Sequence, residues 1–149
     1  MNLPQQSTKP VFLLDTGPLS VLCGFPINDE SYINLIINHA EILLADDVKK
    51  SHSPNNPVIL DQAYDKLLGA GERSTIKSAL ANSITPVIDD KDAFVVACRF
   101  GLQPIGFQDF IVQLALNYTM PKQTARQIVQ TTARQFPASF LTHTLDLLS

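Results

Sequence analysis

Short apolar runs along the chain alternate with longer stretches in which apolar residues recur every three or four positions. The first run is Val11–Leu14, which ends abruptly at Asp15 before a Gly-Pro turn. A continuous apolar run of this length is typical of a strand that is covered on both faces of a parallel sheet. Further strands are predicted over residues 42–44, 85–89 and 103–106.

Helices are predicted where the apolar spacing follows the helical repeat. A short helix follows Asp15 and ends at Gly24, and a second one carries Tyr32 and Ile36 behind a cap at Asn28 or Asp29. Further helices are expected near residues 58–68 and over 72–82, 91–100, 108–117, 122–135 and 138–147, with residues 51–57 as a loop and 69–71 as a break.

Strands that alternate with helices favour a parallel sheet with right-handed crossovers. We therefore expect an α/β fold, a three-layer sandwich in which helices flank a central parallel sheet of about four or five strands. The chain of 149 residues fits one domain over 1–149, with residues 1–10 as a loose lead-in.

Composition narrows the class of protein. Hydrophobic residues make up 45% and charged residues 17%, which is too apolar for a disordered chain. No apolar segment reaches the ~20 residues that span a bilayer, and no signal-peptide pattern is present. We expect a cytoplasmic protein with no membrane partner.

The cysteines, the histidines and the net charge point to no particular site or ligand. Cys23 and Cys98 each lie in an apolar stretch and are expected in the core. The three histidines form no pair at metal-ligand spacing, so zinc is not expected. A net charge of −3 and a pI near 5.4 lack the strongly basic signature of a nucleic-acid binder.

Acidic residues at predicted element boundaries are the main candidate chemistry. They are Asp15, Glu72, Asp89 and Asp90. Asp15 and at least one residue of the Asp89-Asp90 pair would stand at carboxyl ends of strands, where open parallel sheets bind ligands. Taken alone, Asp15 is explained more simply as a cap of the following helix.

Glu72 shares a helical face with Ile76 and Ala79, so its carboxylate is expected to point inward or along a cleft. Favourable charge at a helix N-terminus is the alternative explanation. Carboxylates that gather in one crevice repel each other unless a cation offsets them. A hard divalent ion such as Mg²⁺ fits, and it would support metal-assisted hydrolysis of a phosphodiester.

These motifs resemble a known family. Residues 15–19, Asp-Thr-Gly-Pro-Leu, are similar to the Asp-Thr-Ser-Pro-Leu opening of PIN-domain nucleases. The later motifs that resemble one branch of that family are Gly71-Glu72, Asp89-Asp90 with Ala93 and Ala97, Gly101-Leu102 and Gly106. The resemblance runs from Val11 to about Leu116, and it lies in the order and spacing of these motifs.

The resemblance implies an α/β fold that gathers acids around Mg²⁺ or Mn²⁺ and cleaves RNA, often as the toxin of a toxin–antitoxin pair. It implies Asp15, Glu72 and Asp90 as catalytic residues, and Asp15, Glu72, Asp89 and Asp90 as metal ligands. Two positions differ from the family: Ser51 stands where a second acid is usual, and Phe94 stands where that branch has Arg. Asp46, Asp47, Asp61 and Asp65 are candidate substitutes for the second acid.

A second register of the same resemblance uses Asp92 and Asp109 as the later acids, but it leaves Glu72 and the Asp89-Asp90 pair without a role. Asp109 is instead expected to cap its helix. The alternative function is a PIN-fold module that has lost catalysis and acts by binding RNA or protein. An aspartyl-phosphate protein is disfavoured in both of its forms. A receiver domain has its acid pair after the first strand, whereas the pair Asp89-Asp90 comes late, and a haloacid-type phosphatase has Asp-x-Asp, whereas Thr16-Gly17 follows Asp15.

Basic residues and apolar helix faces suggest partners. Candidate RNA contacts are Thr16, Lys122, Arg126 and Arg134, although a solvated outer face explains the three cations more simply. Apolar residues at 33–37 and the C-terminal Phe140, Leu141, Leu145 and Leu148 would either form a homodimer face or pack within the domain. The expected partners are RNA, a cognate antitoxin protein and a second copy of the chain.

Overall fold

A computed structural model describes residues 9–24, 26–27, 30–45, 48 and 70–149. Several predictions therefore lie outside the described residues. These are the loop at 51–57, the helix near 58–68, the caps Asn28 and Asp29, most of the lead-in, and the substitutes Asp46, Asp47, Asp61 and Asp65 together with Ser51.

A small parallel sheet lies at the centre of the described chain. Its strands are β1 (Val11–Leu14), β4 (Glu41–Leu43) and β5 (Thr85–Val87), in the order β4-β1-β5. Phe12 pairs with Ile42 on one side and Thr85 on the other, and both pairings are parallel. The predicted α/β class and parallel sheet are confirmed.

The predicted strand at 103–106 is reduced to a single parallel bridge between Val87 and Ile105. Ile88 N–H donates to the Ile105 carbonyl at 2.9 Å, and Ile105 N–H donates to the Pro86 carbonyl at 3.1 Å. The parallel sheet has three strands within the described residues, so a sheet of four or five is not shown there. β2 (Pro26–Ile27) and β3 (Glu30–Ser31) form an antiparallel pair that was not predicted, because two-residue strands leave no periodic signal.

Helices connect and cover the strands. They are α1 (Thr16–Gly24), α2 (Tyr32–Ile36), α3 (Ala70–Asn82), α4 (Lys91–Arg99), α5 (Phe107–Leu116), α6 (Lys122–Thr131) and α7 (Ala138–Leu147), with a 3₁₀ turn at Ala133–Gln135. Two predictions were wrong in detail. α3 begins at Ala70 and includes the expected break at Gly71, and the expected helix over 122–135 ends at Thr131, where the Thr132 hydroxyl donates to the Ile128 carbonyl at 2.7 Å.

Three apolar clusters pack around the sheet. The largest joins β1 and β5 to α1, α2, α5, α6 and α7 through residues such as Phe12, Leu14 and Phe110. A second joins α3 and α4 through Ile76 and Ala97, and a third consists of Leu19, Ala45 and Val48. Side chains alternate along a strand. Leu13 and, two positions later, Asp15 therefore face away from Phe12 and Leu14, toward α3.

Some expectations about burial were wrong. Cys23 and Cys98 are both exposed, because an apolar neighbourhood in the sequence does not fix which face of a helix a residue occupies. Leu148 is buried, and Leu141 and Leu145 pack against the cluster that contains Phe12 and Phe110. Much of the apolar C-terminal segment is therefore covered by other residues of the same chain. Within the described ranges, the helices are too short or too polar to cross a membrane.

Candidate functional site

Asp15 is a buried carboxylic acid at the carboxyl end of β1. Only 2% of the residue is exposed, and its N–H donates to the Val87 carbonyl at 3.0 Å, so the ladder with β5 continues one residue beyond the strand. Oδ1 of Asp15 lies 3.1 Å from the hydroxyl of Thr75 on α3. Asp15 therefore stands where a parallel sheet binds ligands, as predicted from the sequence.

Close contact between α1 and α3 determines the position of Glu72. A Cβ built on Gly71 would lie 2.7 Å from Thr16 Oγ1 and 3.4 Å from Val48 Cγ2. A larger residue at position 71 would therefore require the Thr16 side chain or the start of α3 to shift. Glu72, the next residue in the first turn of α3, is half-buried and lies beside the Asp15 turn for this reason.

The electrostatics of Asp15 show which acids lie near it. The pKa of Asp15 is raised from 3.8 to about 6, chiefly by burial and in smaller part by the negative charges of Glu72 and Asp90. A backbone hydrogen bond at Thr16 and the Thr75 hydroxyl act in the opposite direction and lower it. The structure thus brings Asp15, Glu72 and Asp90 close enough to interact, although they are far apart in the sequence.

Asp90 is the N-cap of α4. Its Oδ1 accepts a hydrogen bond from Ala93 N at 2.9 Å, and the residue is exposed. Capping engages one carboxylate oxygen and leaves the second free for another ligand. Asp92, in the same first turn, is exposed.

The carboxylate of Asp89 bonds to the start of α5. Its Oδ1 accepts a hydrogen bond from Phe107 N at 2.8 Å at the start of α5. Burial of the carboxylate raises the pKa of Asp89, although the residue as a whole is exposed, and the negative charge of Asp109 raises it further. The expectation that Asp109 caps α5 was wrong, because Gly106 is the N-cap and Asp89 supplies the carboxylate.

No set of three or more His, Cys, Asp or Glu side chains with metal-binding geometry occurs among the residues that the structure describes. Asp15 interacts electrostatically with both Glu72 and Asp90. The position of Asp47 lies outside the described ranges. Asp109 interacts with Asp89.

Two buried polar residues near the acids were missed in the sequence analysis. Thr75 donates to Asp15 and also lies 2.8 Å from the Gly71 carbonyl, and Arg73 is 4% exposed. Thr75 could have been found, since it follows Glu72 by three residues and shares its helical face. Arg73 follows Glu72 directly, and nothing in the apolar spacing predicted its burial.

The predicted RNA-contacting cations are arranged differently from expectation. Lys122 is exposed at the start of α6, whereas Nη1 of Arg126 donates to the Leu145 carbonyl at 3.2 Å and ties α6 to α7. Arg134 belongs to the 3₁₀ turn and not to the helix predicted to hold it. Thr16 begins α1 and contacts the start of α3.

Comparison with known proteins gives no assignment. No protein-family model matches the chain, and neither a curated protein nor a solved structure matches it.

Proposed function

We propose that this chain is a PIN-type ribonuclease that uses Mg²⁺ or Mn²⁺ to hydrolyse RNA phosphodiester bonds, on a three-layer α/β sandwich. The observation that carries the proposal is the buried Asp15 carboxyl, whose pKa is raised to about 6 partly by Glu72 and Asp90. Three acids from separate elements converge at the carboxyl end of the sheet. Such a group is costly to keep charged without a cation, and a divalent ion would relieve that cost.

Each residue has a distinct role in this proposal. Asp15, Glu72 and Asp90 are the metal ligands, with Asp15 held by Thr75 and Asp90 held by its cap at Ala93. When bound, the ion supplies an activated water and stabilises the charge that develops on the phosphate. The hydrogen bond of Asp89 to Phe107 favours a structural role at α5 for that acid instead.

Calorimetric titration with Mn²⁺ and Mg²⁺, together with cleavage of single-stranded RNA, tests the proposal on the same samples. We expect wild type to bind and cut, and Asp15→Asn to do neither. Asp90→Asn is a sharper variant because Asn also caps helices, so the fold is kept while the charge is lost. Asp146→Asn, an exposed acid on α7, is the matched control. Wild type that binds no metal and cuts no RNA would refute the nuclease.

A catalytically degenerate PIN-fold module is the second candidate. It is favoured by two differences from the family that the chain resembles: Ser51 stands where a second acid is usual, and Phe94 stands where that branch has Arg. For this candidate we expect binding of RNA or protein whose affinity is unchanged by EDTA and by Asp15→Asn. RNA cleavage that disappears in Asp15→Asn would exclude it.

The proposal extends to a toxin-like role with a protein antitoxin and a homodimer. Ile37 and Phe140 are the apolar residues of the expected dimer segments that remain most exposed, at 47% and 57%. Induced expression in a bacterial host should arrest growth with wild type and not with Asp15→Asn. Light scattering after gel filtration measures the oligomeric state directly.

A further inference from the structure

A cavity beside the candidate site is lined by aromatic rings. Its volume is about 810 Å³, and it lies between the end of β5, α4, the start of α5 and α7. Four phenylalanines contribute to its wall: Phe94, Phe107, Phe136 and Phe140. The rings of Phe107 and Phe136 already stack, with centroids 5.4 Å apart and planes at 4°. A cavity of this size accepts a molecule as large as a nucleotide.

A buried amide in the cavity wall has an unused donor. Gln108 is 7% exposed, and its Oε1 accepts a hydrogen bond from the Thr144 hydroxyl at 2.6 Å. Its Nε2 has no hydrogen-bond partner among the described residues. A buried amide N–H without a partner is costly, and a ligand carbonyl would satisfy it once the Gln108 side chain turns toward the cavity.

The other charged or basic groups of the wall are the carboxylates of Asp89 and Asp109 and the side chains of Lys91 and His143. Asp89 and Asp109 bring carboxylates to the same cavity as Gln108, and Oδ1 of Asp89 is already engaged by Phe107 N. The Watson–Crick edge of guanine presents two N–H donors beside one carbonyl acceptor. That edge complements carboxylate acceptors next to an amide donor, whereas uracil offers one donor between two acceptors.

We propose that this cavity binds a guanine base, stacked on the exposed ring of Phe140 and hydrogen-bonded by Gln108. The inference deepens the proposed function, since Asp89, Asp90 and Lys91 are consecutive and the cavity therefore adjoins the acid that Asp90 contributes. A base held here places its strand beside the three acids, and Lys91 offers a cation for the strand's phosphate. Aromatic stacking supplies affinity, and the amide and carboxylates supply base preference.

Calorimetric titration of the full chain with 5′-GMP, 5′-IMP, 5′-AMP and 5′-UMP tests this inference in EDTA, so that metal binding does not contribute. We expect 5′-GMP to bind most tightly. 5′-IMP lacks the exocyclic amino group of guanine and should bind about tenfold more weakly, because one hydrogen bond to a carboxylate is lost. Phe140→Ala should weaken 5′-GMP binding about tenfold through loss of stacking.

One control and one double variant separate binding from folding. Phe100→Ala removes a phenylalanine of similar exposure, 46%, outside the cavity wall and should leave affinity unchanged. Gln108→Met with Thr144→Val removes both members of the buried hydrogen bond, so neither is left unpaired, and it should weaken 5′-GMP binding about tenfold. Thermal unfolding of each variant checks that the fold is intact.

The outcomes distinguish this inference from the proposed nuclease. Equal affinity for all four nucleotides, no 5′-GMP binding, or binding unchanged by Phe140→Ala would overturn the guanine site even if RNA is cleaved. Binding of 5′-GMP by a chain that cuts no RNA would support the site and refute the nuclease. A change of oligomeric state in Phe140→Ala, with nucleotide affinity unchanged, would assign the surface to a second copy of the chain and overturn the inference.

Discussion

The hydroxyl of Thr75 lies 3.1 Å from Oδ1 of Asp15 and joins the first turns of α3 to the end of β1. The hydroxyl has one proton, and the Gly71 carbonyl lies 2.8 Å away as a second acceptor. When Asp15 is charged, Thr75 can donate to it. When Asp15 is protonated, its own O–H can donate to Thr75, which then donates to Gly71. The pair therefore satisfies both protonation states of an acid whose pKa is about 6.

The pH dependence of stability follows from this acid. The unfolded chain releases the Asp15 proton near pH 3.8, whereas the folded chain holds it until about pH 6. Asp15 therefore contributes roughly 3 kcal/mol to the free energy of unfolding below about pH 4. This contribution is lost as the pH rises to about 6. Asp15→Asn should be more stable than wild type at pH 7 by about 1–3 kcal/mol and should match it at pH 3.5. Urea unfolding in EDTA measures the difference.

Asp146→Asn is the control for this prediction, because Asp146 is an exposed acid and its replacement should change stability by less than about 0.5 kcal/mol. Mn²⁺ should stabilise wild type at pH 7 and leave Asp15→Asn unchanged, since only the charged acid gains from a cation. A variant that is less stable than wild type at pH 7 would contradict the burial argument.

Thr75 should lower the pKa of Asp15. Thr75→Val removes the donor to the carboxylate while keeping the shape of the side chain, so the pKa of Asp15 should rise by about one. Thr75→Ser keeps the hydroxyl and should leave the pKa of Asp15 at about 6. Carboxyl ¹³C chemical shifts followed against pH report the value directly. An equal pKa in Val and Ser variants would show that the hydroxyl does not bond the charged form.

Because Gly71 and Thr16 are in close contact, substitutions at these two positions should have non-additive effects on the free energy of unfolding. Gly71→Ala places a Cβ 2.7 Å from Thr16 Oγ1 and should cost about 1–3 kcal/mol. Most of that cost should disappear in a Thr16→Ala background, since the clashing oxygen is then gone. Gly17→Ala is the matched control, because Gly17 has nothing within 4 Å of an added Cβ and Ala favours a helix. Additive effects of Gly71→Ala and Thr16→Ala would contradict the proposed contact.

Much of the described fold was predictable because its elements carry strong local signals. Val11–Leu14 reads as a strand by its apolar run, and Ala138–Leu147 as a helix by its spacing. Short elements were harder to predict: β2 and β3, with two residues each, were not predicted, and the strand predicted over 103–106 is only a single bridge between Ile105 and Val87. Their geometry depends on tertiary hydrogen bonds that leave no period in the sequence.

The candidate site was predictable in part for the same reason. Strand ends and a helix start placed Asp15, Glu72 and Asp90 at one edge of the sheet, because parallel strands bring their carboxyl ends together. The neighbouring acid Asp89 could not be assigned, since its partner, Phe107 N, is 18 residues away and a backbone N–H has no sequence signature. Burial of Arg73 was equally hidden, because the charge of a residue does not show where the chain will cover it.

Of the two cations of α6, Arg126 should affect mainly the stability of the fold and Lys122 mainly the binding of RNA. Arg126 donates to the Leu145 carbonyl, which also accepts from Leu148 N, so Arg126→Met should cost about 1 kcal/mol of stability. Lys122 is exposed at the other end of the predicted cationic face, so Lys122→Met should change stability by less than about 0.5 kcal/mol. If Lys122 contacts phosphate, its loss lowers the salt dependence of single-stranded RNA binding by about 0.7 in the log–log slope.

Fluorescence anisotropy with a labelled single-stranded RNA, repeated over a range of KCl concentrations, measures this slope for both variants. We expect Lys122→Met to have a smaller slope at unchanged melting temperature, and Arg126→Met to have a lower melting temperature at nearly unchanged slope. The reason is that the Arg126 guanidinium is already directed at the end of α7, whereas the Lys122 ammonium extends into solvent. Equal reductions of slope in both variants would mean that Arg126 leaves the Leu145 carbonyl to meet the RNA.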